Sequence, residues 1–407
     1  MSTWQETEFG KIPSNWDYLR IENTDLQIGD GNYSSKYPRA SELLAEGIPF
    51  ISSTDLSNGK ISANSLRYIS TEHHSRLLKG HIKQGDVLIV VRGNGVGQVA
   101  LVSKEYEDAN LNAQMAYLGR SNRIDGAFLY YLLSKYYSDG VTETVVSGSA
   151  QPQITVSSLK QLSLIIPPVN EQNAIAAILS SLDDKIDLLH RQNKTLEAMA
   201  ESLFRQWFVE ESQEDWEEYS LSDFASHLKG NVVPAKNPDK IFHHYSLPAF
   251  DAGMRPTVEA GSEILSNKFE VKPWSILVSK LNPRFPRIWP ISDLPECASI
   301  CSTEFQVFKP KNENLYGYLY FLLRSDDAKD ELVMAASGTS GSHQRVRPED
   351  ILSIKTSLPS LNLAEQFSAL VTPGIKKVWA NNAQIYSLEK LRDTLLPKLM
   401  SGEVRVA

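Results

Sequence analysis

Cysteine is nearly absent: 407 residues contain only Cys297 and Cys301. Two thiols cannot staple a chain of this length, so a disulfide-framed secreted scaffold is excluded and a reducing, cytoplasmic setting is expected. Long apolar runs are missing too. None nears the ~20 residues that span a bilayer, and no membrane association is expected. The opening MSTWQETEFGKIPSNW lacks a basic start and an apolar core, so it does not read as a secretory signal. Positive charge is not in excess, with 41 Lys/Arg against 49 Asp/Glu and a net charge of −8.

Catalytic signatures are also lacking. There is no GxxxxGK[ST] loop, no GxSxG elbow and no HExxH helix. Gly93, Gly95 and Gly97 follow an apolar run, but Gln98 stands where a dinucleotide loop needs its third glycine. A second apolar run follows, so a hairpin or bulge loop is expected. The eight histidines (73, 74, 81, 190, 227, 243, 244, 343) form no regular ligand spacing, and Cys297 and Cys301 have no second pair. NPRF (282–285) resembles the NPP[FY] tetrapeptide of amino-methyltransferases, but Arg284 replaces the second proline and no cofactor-binding glycine motif accompanies it. Asn282 is read as a turn residue. No catalytic residue and no metal ligand is assigned, and the chain reads as one that recognises rather than transforms.

What is present is a repeat. GDVLIVVRGN (85–94) aligns with PWSILVSKLN (273–282), and FLYYLLSKYYSDG (128–140) with YLYFLLRSDDAKD (318–330). TLEAMAESLFRQWF (195–208) aligns with SLEKLRDTLLPKLM (387–400), the offset staying between 188 and 194 over all matches. Several matches in one order imply an internal duplication. Each half opens with short apolar runs punctuated by Gly, Asn and Pro, and VLIVV, QVALV and LSLIIPP read as strands. Each closes in a long helix. The expected architecture is α/β (mixed α+β): recognition blocks at 1–168 and 217–360, spacer helices at 169–216 and 361–407, and a pseudo-two-fold relation between the halves.

The first long helix starts after Pro167-Pro168, where proline blocks an earlier turn. Ile175, Leu182, Leu189, Leu196 and Leu203 form one heptad series. Leu179, Ile186, Asn193, Ala200 and Trp207 form the other. The second helix repeats this less regularly, through Val378, Ile385, Leu388 and Leu395, with Asn381 and Arg392 interrupting and Pro373-Gly374 expected to kink or delay it. Neither helix can bury its seam alone, so an antiparallel coiled-coil pair is expected, on the order of 50–60 Å long at ~1.5 Å per residue. The chain's acidity sits here, with 4 Lys/Arg against 12 Asp/Glu in residues 170–218. The flanking blocks are near neutral and free to carry local basic faces.

Several loops in those blocks suit nucleic acid. GDGNYSSKYPR offers Asn32, Tyr33, Ser34, Lys36, Tyr37 and Arg39. The glycine loop offers Arg92, Asn94 and Gln98, and SGSAQPQ offers Gln151 and Gln153. SKLNPRFPRIWP brings Lys280, Arg284, Arg287 and Trp289, and SGTSGSHQRVR brings His343, Gln344, Arg345 and Arg347. Arginine suits guanine edges and phosphates, and amides suit adenine edges.

The endings TLEAMAESLFRQWFVE and LRDTLLPKLMSGEVRV, the opening GKIPSNW, the segments EGIPFISSTDL and GDVLIVVRGNGVGQVALV, and the helix entry PPVNEQNAIAAIL are similar to those of type I restriction–modification specificity subunits. The resemblance implies that each block is a target-recognition domain reading half of a split double-stranded DNA site, with the helices setting the gap. It implies two modification subunits that methylate adenine N6 from S-adenosylmethionine, and ATP- and Mg-dependent restriction subunits that cut. No cofactor is expected in this chain. The rival reading is a coiled-coil scaffold or adaptor whose α/β blocks bind proteins.

Overall fold

The computed structural model describes residues 3–32, 36–147, 152–294, 297–336 and 344–406. It divides into two compact units, residues 1–186 with 387–407, and residues 187–386. The cuts fall inside the long helices, not at the block boundaries read from the sequence. Each unit therefore contains one mixed block and a part of both helices.

The first unit holds a four-stranded antiparallel sheet in the order Val99–Leu101, Val87–Val90, Met115–Gly119, Gln27–Asp30. The second holds its counterpart, in the order Ile288–Ile291, Ser275–Ser279, Phe305–Pro310, Ala225–Leu228. A second motif also recurs. Ile48–Ile51 pairs parallel with Asn110–Leu111 and antiparallel with Arg67–Ile69. In the other unit Ile241–Tyr245 pairs parallel with Ala298–Ser302 and antiparallel with Thr257–Ala260. Identical strand order with identical sense, twice, bears out the duplication.

The central strands Val87–Val90 and Ser275–Ser279 are buried throughout. Both faces are covered, so their sequences run apolar or small instead of alternating. In the first unit a helix, Gly126–Ser138, packs on the sheet. Asp125 caps it by accepting the Phe128 N–H at 2.8 Å. In the second unit the equivalent stretch breaks into Tyr316–Arg324 and Asp326–Ala335, because the Ser325 hydroxyl caps a new helix at the Ala328 N–H.

The long helices span Val169–Arg205 and Leu361–Ser401. Pro373 does not delay the second, which runs on through it. Phe367, Val371 and Ile375 are anchored in the second unit's core on either side of it, and that burial outweighs one lost backbone hydrogen bond. The helices run antiparallel within each unit. In the first, Ile175 and Leu179 share a core with Leu399 and Met400, and Asp183 binds Arg392. In the second, Asn193 binds Asn381, and Phe204 packs on Phe367. Ile175, Leu179, Ile186, Leu189 and Ile385 are buried. Leu182, Leu196, Leu203, Val378, Leu388 and Leu395 are half-buried.

Chain ends far apart in sequence meet in the first unit. The buried Glu171 carboxylate accepts from Trp16 Nε1 at 2.9 Å and from Arg405 Nε and Nη2 at 2.6 and 2.9 Å. Gly402 closes the second long helix at φ 72°, where an added Cβ would lie 2.5 Å from Pro13 Cγ. GKIPSNW and SGEVRV thus form one contact.

Candidate nucleic-acid interface

In both units the central strand runs out into a loop that is stitched to a second loop. In the first unit, Val91 N donates to Gln114 O at 2.8 Å, and Ile154 N donates to Val91 O at 2.9 Å. Arg92 and Gln153 form a β-bridge beside it. In the second, Lys280 N donates to Glu304 O and Val346 N to Lys280 O, both at 2.9 Å, and Leu281 bridges Arg345. Val91 therefore corresponds to Lys280. This register is one residue from the alignment of the two runs by sequence, and a one-residue slip sends every side chain to the opposite face.

The shared backbone presents different side chains. In the first unit Arg92 and Asn94 are exposed and Gln153 is half-buried. Gln114 lies under Gly93, where an added Cβ would be 3.2 Å from Gln114 Nε2. Its Oε1 accepts from Ser53 Oγ at 3.0 Å and Asn112 Nδ2 at 3.2 Å, so the amide is oriented with Nε2 toward the loop. Gly93, Gly95 and Gly97 take φ 89°, 80° and 91° and turn the Val87–Val90 and Val99–Leu101 strands into the expected hairpin.

In the second unit the position of Gln114 is taken by Glu304. Its carboxylate lies between Lys280 Nζ at 3.7 Å and Arg345 Nη2 at 3.5 Å. Asn282 adopts φ 51° and accepts the Phe285 N–H at 3.0 Å, which confirms the turn. The turn leaves Arg284 exposed and Phe285 68% exposed. Oriented amides, arginines and a carboxylate are the groups that read base edges, and an exposed ring can stack on a base.

Residues 25–198 match the family described as the type I restriction modification DNA specificity domain. The chain is 25% identical to the type I restriction enzyme MjaIX specificity subunit of Methanocaldococcus jannaschii, over 99% of this chain and 96% of that one. It is 32% identical to the HindI specificity subunit of Haemophilus influenzae over 40% of this chain and 37% of that one. The crystal structure of a type I restriction–modification S subunit from M. genitalium shares the fold, with TM-score 0.62, 18% identity and coverage of 95% and 96%. Along nearly its whole length the chain is similar to type I restriction–modification specificity subunits.

The remaining sequence candidates fall into three groups. Some are structural. Asn32 is buried and donates to Lys79 O at 2.6 Å. Trp289 is 1% exposed, inside the aromatic core with Tyr245, Phe250 and Phe305. Its alternation along the Ile288–Ile291 strand turns it inward, so it is not a stacking platform. Arg287 holds Asp251 through Nε and Nη2 at 2.7 and 2.9 Å. That hydrogen bond pushes the guanidinium pKa up and keeps the Asp251 carboxyl below its usual range.

Others lie on the surface of a unit. Lys36, Tyr37 and Arg39 are exposed, with Tyr37 edge-on to Phe50 and its hydroxyl pKa raised by partial burial. Arg347 is exposed and begins the Pro348–Leu352 helix, and Gln98 and Gln344 are half-buried. Gln344 Oε1 is buried with no hydrogen-bond partner among the described residues. Tyr33, Ser34, Gln151 and His343 lie outside the described residues. Gln114 and Glu304 were missed by sequence reasoning. Their only sequence signal is equivalent placement in the repeat, 190 positions apart.

Proposed function

We propose that this chain is a type I restriction–modification specificity subunit that reads a split double-stranded DNA target, one half-site per unit, through the stitched loops at the ends of the two central strands. One observation carries this reading: the same loop-to-loop backbone is built twice but presents Arg92, Asn94, Gln114 and Gln153 in one unit and Lys280, Asn282, Glu304 and Arg345 in the other. A fixed frame with exchanged readers suits two unlike half-sites. Arginine and lysine suit guanine, amides suit adenine, and the Glu304 carboxylate suits the cytosine amino group. In this reading the long helices set the gap. Two modification subunits methylate adenine N6 with S-adenosylmethionine, and restriction subunits cut with ATP and Mg²⁺. The chemistry and its cofactors belong to those partners, in the cytoplasm.

The test is co-expression with the methyltransferase encoded beside it, followed by genome-wide mapping of methylated adenines. A two-part motif with a fixed unspecified gap is expected. Absence of new methylation, with an active partner, would favour the scaffold reading.

A further inference from the structure

We infer that His74, His81 and Asp108 in the first unit form a binding site for a divalent transition-metal ion, with zinc the best match. The inference is independent of the DNA-reading assignment. Sequence spacing hid it, since these residues follow no regular ligand pattern. The fold assembles them: His74 lies within the Thr71–Arg76 helix, His81 forms a β-bridge to Asn110, and Asp108 binds through its N–H to Ile82 O at 2.8 Å. One ligand atom from each side chain lies within 4.8 Å of the others.

The hydrogen bonds assign the ring nitrogens. His81 Nε2 faces the Leu77 carbonyl oxygen at 2.6 Å, and an oxygen acceptor requires that nitrogen to carry the proton. His74 Nδ1 faces Asn110 Oδ1, whose own amide nitrogen points to Lys79 O at 3.5 Å. His74 Nδ1 is therefore the donor there. When each ring carries a single proton, the other nitrogen carries a lone pair, and both lone pairs then face one carboxylate. His74 Nε2 is 3.3 Å from Asp108 Oδ2, and His81 Nδ1 is 3.5 Å from Asp108 Oδ1.

Lone pairs aimed at an anion repel unless a ring proton or a metal ion lies between them. The two His–Asp108 separations suit a metal, and the three ligand atoms all lie within 4.8 Å of one another. Ligand bonds of ~2.0–2.1 Å at tetrahedral angles place neighbouring ligand atoms about 3.3 Å apart. Donation of the distal ring N–H to a fixed oxygen is also the usual outer-shell support of a metal-bound histidine, and both histidines have it. Two imidazoles and one carboxylate suit zinc over calcium or magnesium, which prefer all-oxygen sites. The His74 and His81 side chains are 12% and 33% exposed, and Asp108 is 71% exposed, so a fourth position opens to solvent. A bound ion would tie the 74–82 segment to residues 108–110. The same backbone supports Asn32 through Lys79 O, beside the loop that carries Lys36, Tyr37 and Arg39.

The test uses the full-length chain without a histidine tag, stripped with a chelator and dialysed against zinc. The wild type is expected to retain about one equivalent more than a His74→Ala/His81→Ala variant, and its melting temperature should rise with zinc and fall with chelator. Cobalt substituted for zinc should give the visible bands of a tetrahedral site, and Asp108→Ala should weaken zinc at least ~10-fold. Equal zinc retention by wild type and variant overturns the proposal. If the variant does not fold, histidine-selective NMR of the wild type decides. Zinc-dependent shifts of His74 Nε2 and His81 Nδ1 support the site, and zinc-insensitive imidazolium signals overturn it.

Discussion

Asn381 Nδ2 donates to Asn193 Oδ1 at 2.8 Å inside the apolar seam of the long helices, and Asn193 Nδ2 donates in turn to Asn382 Oδ1 at 2.8 Å. Asn193 and Asn381 are both buried, at 8% and 1% exposure. The two interruptions of the heptads are thus partners. A polar pair at such a position costs stability and specifies register, because any slip strands both amides in apolar surroundings.

Asn193→Ala therefore leaves the buried Asn381 amide without its acceptor and is expected to cost about 1–3 kcal/mol. Asn193→Leu/Asn381→Leu should recover or exceed wild-type stability while loosening the register. Urea unfolding followed by circular dichroism checks the first, and disulfide trapping between cysteines placed one turn out of register checks the second. A destabilised double variant would show that the amides are not mainly a register device.

Arg405→Ala is expected to destabilise the first unit by about 1–3 kcal/mol, because the buried Glu171 loses its cation and, among the described residues, keeps only the Trp16 N–H. Half-exposure of Arg405 keeps the figure below that of a fully buried pair. Adding Glu171→Gln should return part of the loss. Additive effects in this double-mutant cycle would show that the pair is not coupled.

For recognition, Gln114→Ala and Arg345→Ala should each change only one half-site when assayed in the methyltransferase complex. A lost base contact is worth about 1–3 kcal/mol, so methylation should fall roughly 10- to 100-fold at one base pair and stay normal in the other half. Rates on a panel of single-base target variants give the answer. Uniform loss at every position would move these residues from reading bases to holding phosphates or the fold.

Trp289→Ala should cost about 3–5 kcal/mol, as a large core side chain is removed. Trp289→Phe should cost less, since Nε1 is buried without a partner among the described residues and no hydrogen bond is lost. The Phe variant should retain full target specificity. Loss of specificity in a stably folded Phe variant would restore Trp289 to the interface.

Acid should weaken the second unit before its carboxylates titrate. Burial holds His227, His243 and His244 below the ordinary imidazole range, and Nε2 of His227 and of His244 is buried without a partner among the described residues. Folded-state pKa values below the unfolded one mean that the unfolded chain binds protons first. The associated stability is full above about pH 6.5 and is lost as pH falls through the depressed folded values. Hydrogen exchange of the second unit at stepwise lower pH should show it, and a flat profile from pH 7 to 5 would contradict it.

By itself the sequence determined the repeat, the strands around VLIVV and QVALV, and the seam from Ile175 to Leu203. These rest on local periodicity, and each needs only its neighbours to be read. Even the pairing partner of each helix followed, since an unpaired seam cannot stay in water. What only the tertiary structure decided lies between residues far apart in the chain. Trp289 stands among the arginines of a loop suited to nucleic acid, but strand alternation turns it into the core. Arg287 looked free until Asp251, 36 positions away, was placed against it. Gln114 and Glu304 carry no motif and gain their position from strand order alone. The His74, His81 and Asp108 cluster is the clearest case, because its geometry is set by a β-bridge and two backbone carbonyls that sequence spacing does not encode.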